Sequence, residues 1–304
     1  MRCDNSYQVR EHSLIKPYND DRWDFTGSTI ISSTAVRLTS DYQGQRGAIW
    51  NNIPCRLRNW EMHVHFKVDG KGSELFGDGF AIWYTKEKME MGPVFGNRDK
   101  FTGLAIFFDT YANQNGAHNH GHPYVSAMIN NGTLSYDHDR DGTHTELSGC
   151  ESNFRKSRFE TFAAIRYEKN KLTVSLDISG RNEWKLCFTT SNVHLPTEYF
   201  FGATAATGDL SDNHEIMSIK VFDISEGKVV TEDDADYSNV VPNAEYFAPP
   251  RDHVDDPKLS TLSRLTGWKL VGVFVLAAVG IIVCLMIGYI LFNKTQQTSR
   301  KRLY

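Results

Sequence analysis

The feature that most restricts this chain is an uninterrupted apolar run near its C-terminus. From Leu270 to Phe292 the sequence reads LVGVFVLAAVGIIVCLMIGYILF, with neither a charge nor a proline. A helix buried in a protein core seldom stays apolar on every side, whereas a run of this length spans the roughly 30 Å of hydrocarbon in a bilayer. Residues 270–292 are therefore expected to form one transmembrane helix. Its flanks orient it. Lys294, Arg300, Lys301 and Arg302 follow the run with no acid among them, while Glu232, Asp233, Asp234, Asp236 and the acids from Asp252 to Asp256 precede it. Basic residues stay on the cytosolic side, so residues 293–304 read as a cytosolic tail and the large N-terminal part as lumenal. Arg264 and Lys269 weaken this asymmetry without reversing it.

A lumenal domain needs a signal peptide, and the opening MRCDNSYQVREHSLIKPY has no apolar core of that kind. Two readings stay open: an incomplete start, or a tail-anchored protein whose large domain faces the cytosol. The cysteines bear on the choice. Cys3 is near the terminus and Cys284 inside the apolar run, leaving Cys55, Cys150 and Cys187. The last two flank strand-like segments and would suit a bridge, which implies an oxidising compartment, although the sequence alone allows three pairings. Asn131-Gly132-Thr133 is a glycosylation acceptor triplet, again fitting a lumenal location.

The first 225 or so residues read as all-β. Met62, Val64, Phe66 and Val68 alternate with Glu61, His63, His65 and Lys67, the period of a half-buried strand. Leu172, Val174, Leu176 and Ile178 repeat it after a turn at Lys169-Asn170, and Ala163, Ile165 and Tyr167 precede that turn. Further strand-like runs are Phe80–Tyr84, Leu104–Phe108 and Tyr124–Met128. Gly, Asn and Asp clusters separate them, so a two-sheet β-sandwich is expected. Residues 226–269 are acidic, hold Pro242, Pro249, Pro250 and Pro257, and read as a flexible stem. Charge is nearly balanced, 33 basic against 37 acidic residues, which excludes the clustered basic surplus of a nucleic-acid binder.

Three loop segments carry the chemistry. Gly77-Asp78-Gly79 sets one carboxylate just before a strand; Asp109-Thr-Tyr111-Ala-Asn113 directly follows one; Asp137-His138-Asp139-Arg-Asp141-Gly142 supplies more acids. Alternate residues of an extended segment share a side, so Asp109, the Tyr111 region and Asn113 can converge. Hard oxygens at that spacing suit Ca²⁺. The third segment opens like an EF-hand loop, but its twelfth position is Ser148 and its flanks are β-like, so that reading fails.

The runs WEMHVHFKVDGKG, GDGFAIWYT, GPVFGNRDKF, GLAIFFDTY, NNGTLSYDHDRDG and TGDLSDNHE, in this order, closely resemble the leguminous-type cargo lectins of the early secretory pathway. The resemblance covers about residues 8–225, residues 1–7 being a remnant, and extends to the single span and basic tail. It implies a concanavalin-like sandwich of jelly-roll type, holding Ca²⁺ beside a shallow site for high-mannose glycans. Carried over by motif, the calcium ligands are Asp109, the Tyr111 carbonyl, Asn113 and Asp141. The sugar contacts are Asp78, Asn113, His138 and the turn Gly208-Asp209-Leu210. A Cys150–Cys187 disulfide is implied as well, with Cys55 a buried thiol. Two positions depart from the family: Gly44 stands where a sugar-touching serine is usual, and Ala112 replaces a proline in the calcium loop. His118, His120 and His122 form a tract of a kind that can bind Zn²⁺, read here as a solvated loop.

The expectation is thus a type I membrane lectin, not an enzyme, that accompanies high-mannose glycoproteins between endoplasmic reticulum and Golgi. Lys301 and Arg302 resemble the dibasic retrieval signals read by vesicle coat proteins. A trafficking adaptor for protein cargo is the alternative. A glycosidase on the same fold lacks support, since no strand carries the closely spaced carboxylate pair of a retaining enzyme.

Overall fold

The computed structural model describes residues 7–18, 21–113, 121–225, 237–244 and 268–300, with side chains in the last range only at Val275 and residues 278–294. The chain divides into two units, Met1–Val254 and Asp255–Tyr304. The first is a sandwich of two antiparallel sheets. One runs in the order Lys185–Thr190, Lys171–Asp177, Thr161–Glu168, Trp60–Asp69, Asn213–Asp223, Val36–Thr39 and Ile30–Ile31, with Tyr7–Gln8 also paired to Asn213–Asp223. The other runs Ser148–Glu151, Tyr124–Asn131, Thr102–Asp109, Gly79–Thr85, Phe200–Ala206, Arg46–Asn51 and Trp23–Gly27.

The two sheets bury different numbers of faces, and their sequences show it. In Trp60–Asp69, Met62, Val64, Phe66 and Val68 point into the sandwich while Lys67 is exposed. In Gly79–Thr85 every residue is buried. Phe80, Ile82 and Tyr84 enter the core between the sheets; Ala81 and Trp83 enter a second cluster on the opposite face, with Trp50, Phe95, Phe101, Phe107 and Tyr136. Segments 93–101 and 132–143 thus roof the outer face of the seven-stranded sheet, which is why its strands read as continuous apolar runs. Phe66, Phe80, Phe108 and Phe154 meet at centroid distances of 4.4 to 5.7 Å in the main core. Each such fully buried ring contributes on the order of 2–3 kcal/mol.

The Lys169-Asn170 turn has φ of 50° and 60°, the left-handed pair of a two-residue hairpin whose twist matches its strands. A disulfide joins Cys150 to Cys187, linking the edge strand Ser148–Glu151 of one sheet to the edge strand Lys185–Thr190 of the other. Cys55 is a buried thiol whose pKa burial pushes up to about 12.

Three details differ from the sequence reading. Glu61, placed on the solvent face by alternation, is fully buried: His63 Nε2 lies 2.6 Å from it and Arg166 donates to it at 2.7 Å. The sheet begins at Tyr7, which pairs with Asp223. Within the expected stem, Asn243–Ala244 pairs with Val193–His194, and the Arg58 guanidinium lies 3.8 Å from the Tyr237 ring centroid, so residues 237–244 dock on the sandwich. The rest of the stem, apart from its last two residues, lies outside the described residues, as do His118, His120, Lys301 and Arg302.

Among its described residues the second unit contains one helix, Trp268–Arg300, which includes the expected span and continues eight residues past Phe292. All its described side chains, Val275 and residues 278–294, are exposed. Among the described residues no helix is long and apolar enough to cross a membrane; those side chains cover only part of the apolar run.

Candidate functional site

Strand register brings the chemistry to one end of the strands of the seven-stranded sheet. Asp109 pairs with Gly79 on one side and with Tyr124 on the other, and Gly79 also pairs with Ala206. Ala206 pairs in turn with Arg46. Asp78, Asp109–Asn113, His122, Gly208–Leu210 and Gly44 therefore all lie at or just beyond the same end of these strands. Segment 132–143, held down by Tyr136 in the outer cluster, returns across the sheet and delivers His138–Asp141. Asp141 itself is left-handed, φ 48°, and ends a short 3₁₀ turn.

Asp109 and Asp141 are both only 6 % exposed. Tyr111 N–H donates to Asp109 Oδ1 at 3.0 Å, and Asn113 N–H donates to Asp141 Oδ1 at 2.9 Å. These two bonds tie the backbone of the 109–113 loop to both acids. His122 closes the group: its Nε2 lies 3.8 Å from Asp109 Oδ2 and 4.0 Å from Asp141 Oδ2, with its side chain 5 % exposed. One donor atom from each of Asp109, His122 and Asp141 falls within a 4.8 Å span. Two buried carboxylates this close call for a cation. The four carboxylate oxygens of this pair are hard donors of the kind that suits Ca²⁺.

The expected sugar contacts adjoin this group. Thr110 donates to the Asp78 carbonyl from both its N–H and its hydroxyl, each at 3.0 Å. The Gly77–Asp78 peptide is cis. Burial raises the Asp78 pKa above its ordinary value and Asp109 adds to this; His138 and the Gly208 backbone N–H oppose it. Gly208 packs closely on this carboxylate, since a Cβ there would lie 3.1 Å from Asp78 Oδ1 and one of the two would have to give. Gly77 is the joint between the two groups: its Cβ would meet Tyr111 Cβ at 3.1 Å and Leu210 Cβ at 3.7 Å. Asp209 is exposed, with Gly208 and Leu210 half-buried beside it. Gly44 N–H donates to the Gly208 carbonyl at 3.1 Å, and Gln43 Nε2 donates to the Asp209 carbonyl at 2.7 Å.

His138 is more anchored than its motif suggests. Its Nε2 donates to the Pro93 carbonyl at 3.0 Å, and its ring packs on Tyr136 and Phe95 at 4.7 and 5.5 Å. Asn131 is exposed at the opposite end of its strand, where it pairs with Thr102, far from the acid pair. His122 was assigned to a solvated loop on sequence grounds; the structure instead packs it against the two acids. The usable signal was its position two residues before the strand that pairs with Asp109.

Comparison with known proteins follows the same lines. Residues 5–231 match the legume-like lectin family. The chain is 48 % identical to the vesicular integral-membrane protein VIP36 of Canis lupus familiaris over 303 residues, covering 97 % of this chain and 85 % of that protein. It is 44 % identical to the VIP36-like protein of Pongo abelii, covering 98 % of this chain and 86 % of that one. The crystal structure of the VIP36 exoplasmic/lumenal domain in its Ca²⁺/Man2-bound form superposes with a TM-score of 0.76 at 50 % identity, over 79 % of this chain and 99 % of that one.

Proposed function

Because the chain belongs to the legume-like lectin family, we propose that it is a calcium-dependent lectin for high-mannose N-glycans that accompanies glycoproteins between endoplasmic reticulum and Golgi. The observation that carries this reading is the meeting of Asp78, Asp109, Tyr111, Asn113, Asp141 and the 208–210 turn at one end of the sheet's strands, in a relative of VIP36, whose exoplasmic/lumenal domain was crystallised in a Ca²⁺/Man2-bound form.

Asp109, Asp141, Asn113 and the Tyr111 carbonyl would hold the ion, with His122 against the two acids. Bound calcium would supply positive charge that fixes these loops and neutralises the acid pair. The chain's own groups do the recognition. Asp78, partly stripped of water, accepts from two vicinal mannose hydroxyls; the Asn113 amide donates; Gly208–Leu210 form the opposing wall, and His138 flanks Asp78. No bond is made or broken, and we assign no catalytic role.

Around the domain, residues 226–269 would lead to a span at 270–292, with a cytosolic tail at 293–304 in which Lys301 and Arg302 engage vesicle coat proteins. The sandwich would then be lumenal, in the endoplasmic reticulum, the intermediate compartment or the Golgi.

Calorimetric titration of the full chain with mannobiose, with calcium and with chelator, tests the site. Asp78→Asn is expected to abolish sugar binding and keep calcium; Asn113→Ala is expected to lose both. Mannose binding that persists unchanged under chelation would sink the assignment.

A further inference from the structure

The mannose site proposed above is assembled from two groups of loops, and only one of them holds expected calcium ligands. We infer that the other half is organised by Arg155, a positioning residue that locks the segment leading into Asp78 to the segment carrying Gly208–Leu210. This rests on the lectin reading and deepens it.

Arg155 follows Phe154 out of the core and is far in sequence from every sugar contact, so no motif points to it. Its side chain is 5 % exposed and that of its partner, Asp212, is 0 % exposed. Arg155 Nε donates to Asp212 Oδ2 and Nη2 to Asp212 Oδ1, both at 2.7 Å, so the two planar groups meet fork to fork. The same Nη2 also donates to the Gly72 carbonyl at 2.9 Å, and the guanidinium lies 3.7 Å from the Phe76 ring centroid. Asp212 is two residues past Leu210; Gly72 and Phe76 are six and two residues before Asp78. One guanidinium therefore contacts both loops that frame the sugar. Backbone packing depends on the same junction, since a Cβ at Gly70 would lie 2.2 Å from Asp212 Oδ1.

Other bonds in this half reinforce the 207–212 segment without reaching the calcium group. Ser211 Oγ donates to Asp41 Oδ1 at 2.6 Å, and Gln45 N–H donates to Thr207 Oγ1 at 2.9 Å. On the calcium side, Asn113 N–H to Asp141 Oδ1 ties the 109–113 loop to the 138–141 turn. None of the groups bonded to Arg155 is an expected calcium ligand. The halves touch through Thr110 to Asp78 and through the close packing of Gly77 on Tyr111.

The residue type matters. A lysine offers a compact charge with no planar fork, so it cannot serve both Asp212 oxygens, Gly72 and the Phe76 face together. Arg155→Lys should let the 70–78 and 207–212 segments shift against each other. The spacing between Asp78 and the 208–210 wall then loosens, while the acid pair and its loop keep their bonds.

The test titrates the full chain with calcium alone, then with mannobiose at saturating calcium. Arg155→Lys and Asp212→Asn are expected to weaken mannobiose about tenfold or more, a loss of about 1.4 kcal/mol, while calcium affinity stays within about twofold. Phe76→Leu, which leaves the ion pair intact, is expected to show the same split at about threefold. Lys156→Ala, removing an exposed bond to the Gly72 carbonyl and a minor charge near Asp212, is expected to change neither beyond about twofold. Unchanged mannobiose affinity in the Arg155 and Asp212 variants would overturn the inference, and so would calcium and sugar affinities falling in step. Should either variant fail to fold, Phe76→Leu decides by the same criterion. Wild-type protein that binds calcium but no mannobiose would instead sink the lectin reading itself.

Discussion

His214, two residues past Asp212, is 1 % exposed, with Nδ1 2.7 Å from Thr39 Oγ1 and its ring against Phe80. Burial, aided by the charge of Arg155, lowers its pKa from 6.5 to about 3. The unfolded chain takes up this proton near pH 6.5 and the folded chain only near 3. The stabilising difference is therefore complete above the first value and lost progressively as pH falls toward the second. Between pH 7.4 and 5.5 the loss from this residue is about 1 kcal/mol. Burial shifts His12 and His65 in the same direction. Urea midpoints measured at both pH values should fall with acidification, and less so in His214→Gln; an equal fall in both proteins would remove His214 as a cause. At this scale the sequence was readable where acids flank apolar strands, as at Asp78 and Asp109. It assigned no role to Arg155 or Asp212 and read His122 as part of a solvated loop, because the partners of all three are at least 13 residues away and only the fold brings them near.

Among the elements, alternation identified the strands of the eight-stranded sheet because that sheet faces the core on one side. Glu61 escaped the pattern because Arg166 and His63, on its own face, enclose it. The strands of the seven-stranded sheet read as unbroken apolar runs, which marked them as strands but could not say that loops 93–101 and 132–143 cover their far face. The bridge pairing was equally undecided by spacing; in the fold, Cys150 and Cys187 occupy edge strands of opposite sheets with Cα atoms 5.4 Å apart. The bond closes a separation of 37 residues, for which loop-entropy arguments give about 4 kcal/mol of stabilisation. A Cys150→Ser/Cys187→Ser double variant is expected to lose about 2–4 kcal/mol in denaturant titration. A change below about 1 kcal/mol would mean that the sandwich edge holds without its staple.

For the whole molecule, the proposed topology puts the sandwich on the lumenal side of a membrane. The Cys150–Cys187 bond fits an oxidising compartment, and for the span proposed at 270–292 the flanking charge asymmetry would put the C-terminal bases in the cytosol. These arguments are independent, one from thiol chemistry and one from translocation, and they agree on a lumenal domain. Asn131 offers a third, separable test. Asn131 and Thr133 are exposed, and Thr133 Oγ1 donates to Asn131 Oδ1 at 2.6 Å in the turn after the strand Tyr124–Asn131. That turn is at the end of the strand opposite Asp109, so a glycan there would leave the proposed mannose site clear. In sealed microsomes from the protein's own cells, added protease should therefore remove only the short tail and spare the sandwich. The protected chain should shift in mass on treatment with peptide N-glycosidase, and Asn131→Gln should abolish that shift. A sandwich digested in intact microsomes, with no glycan to remove, would place it in the cytosol and make the chain tail-anchored.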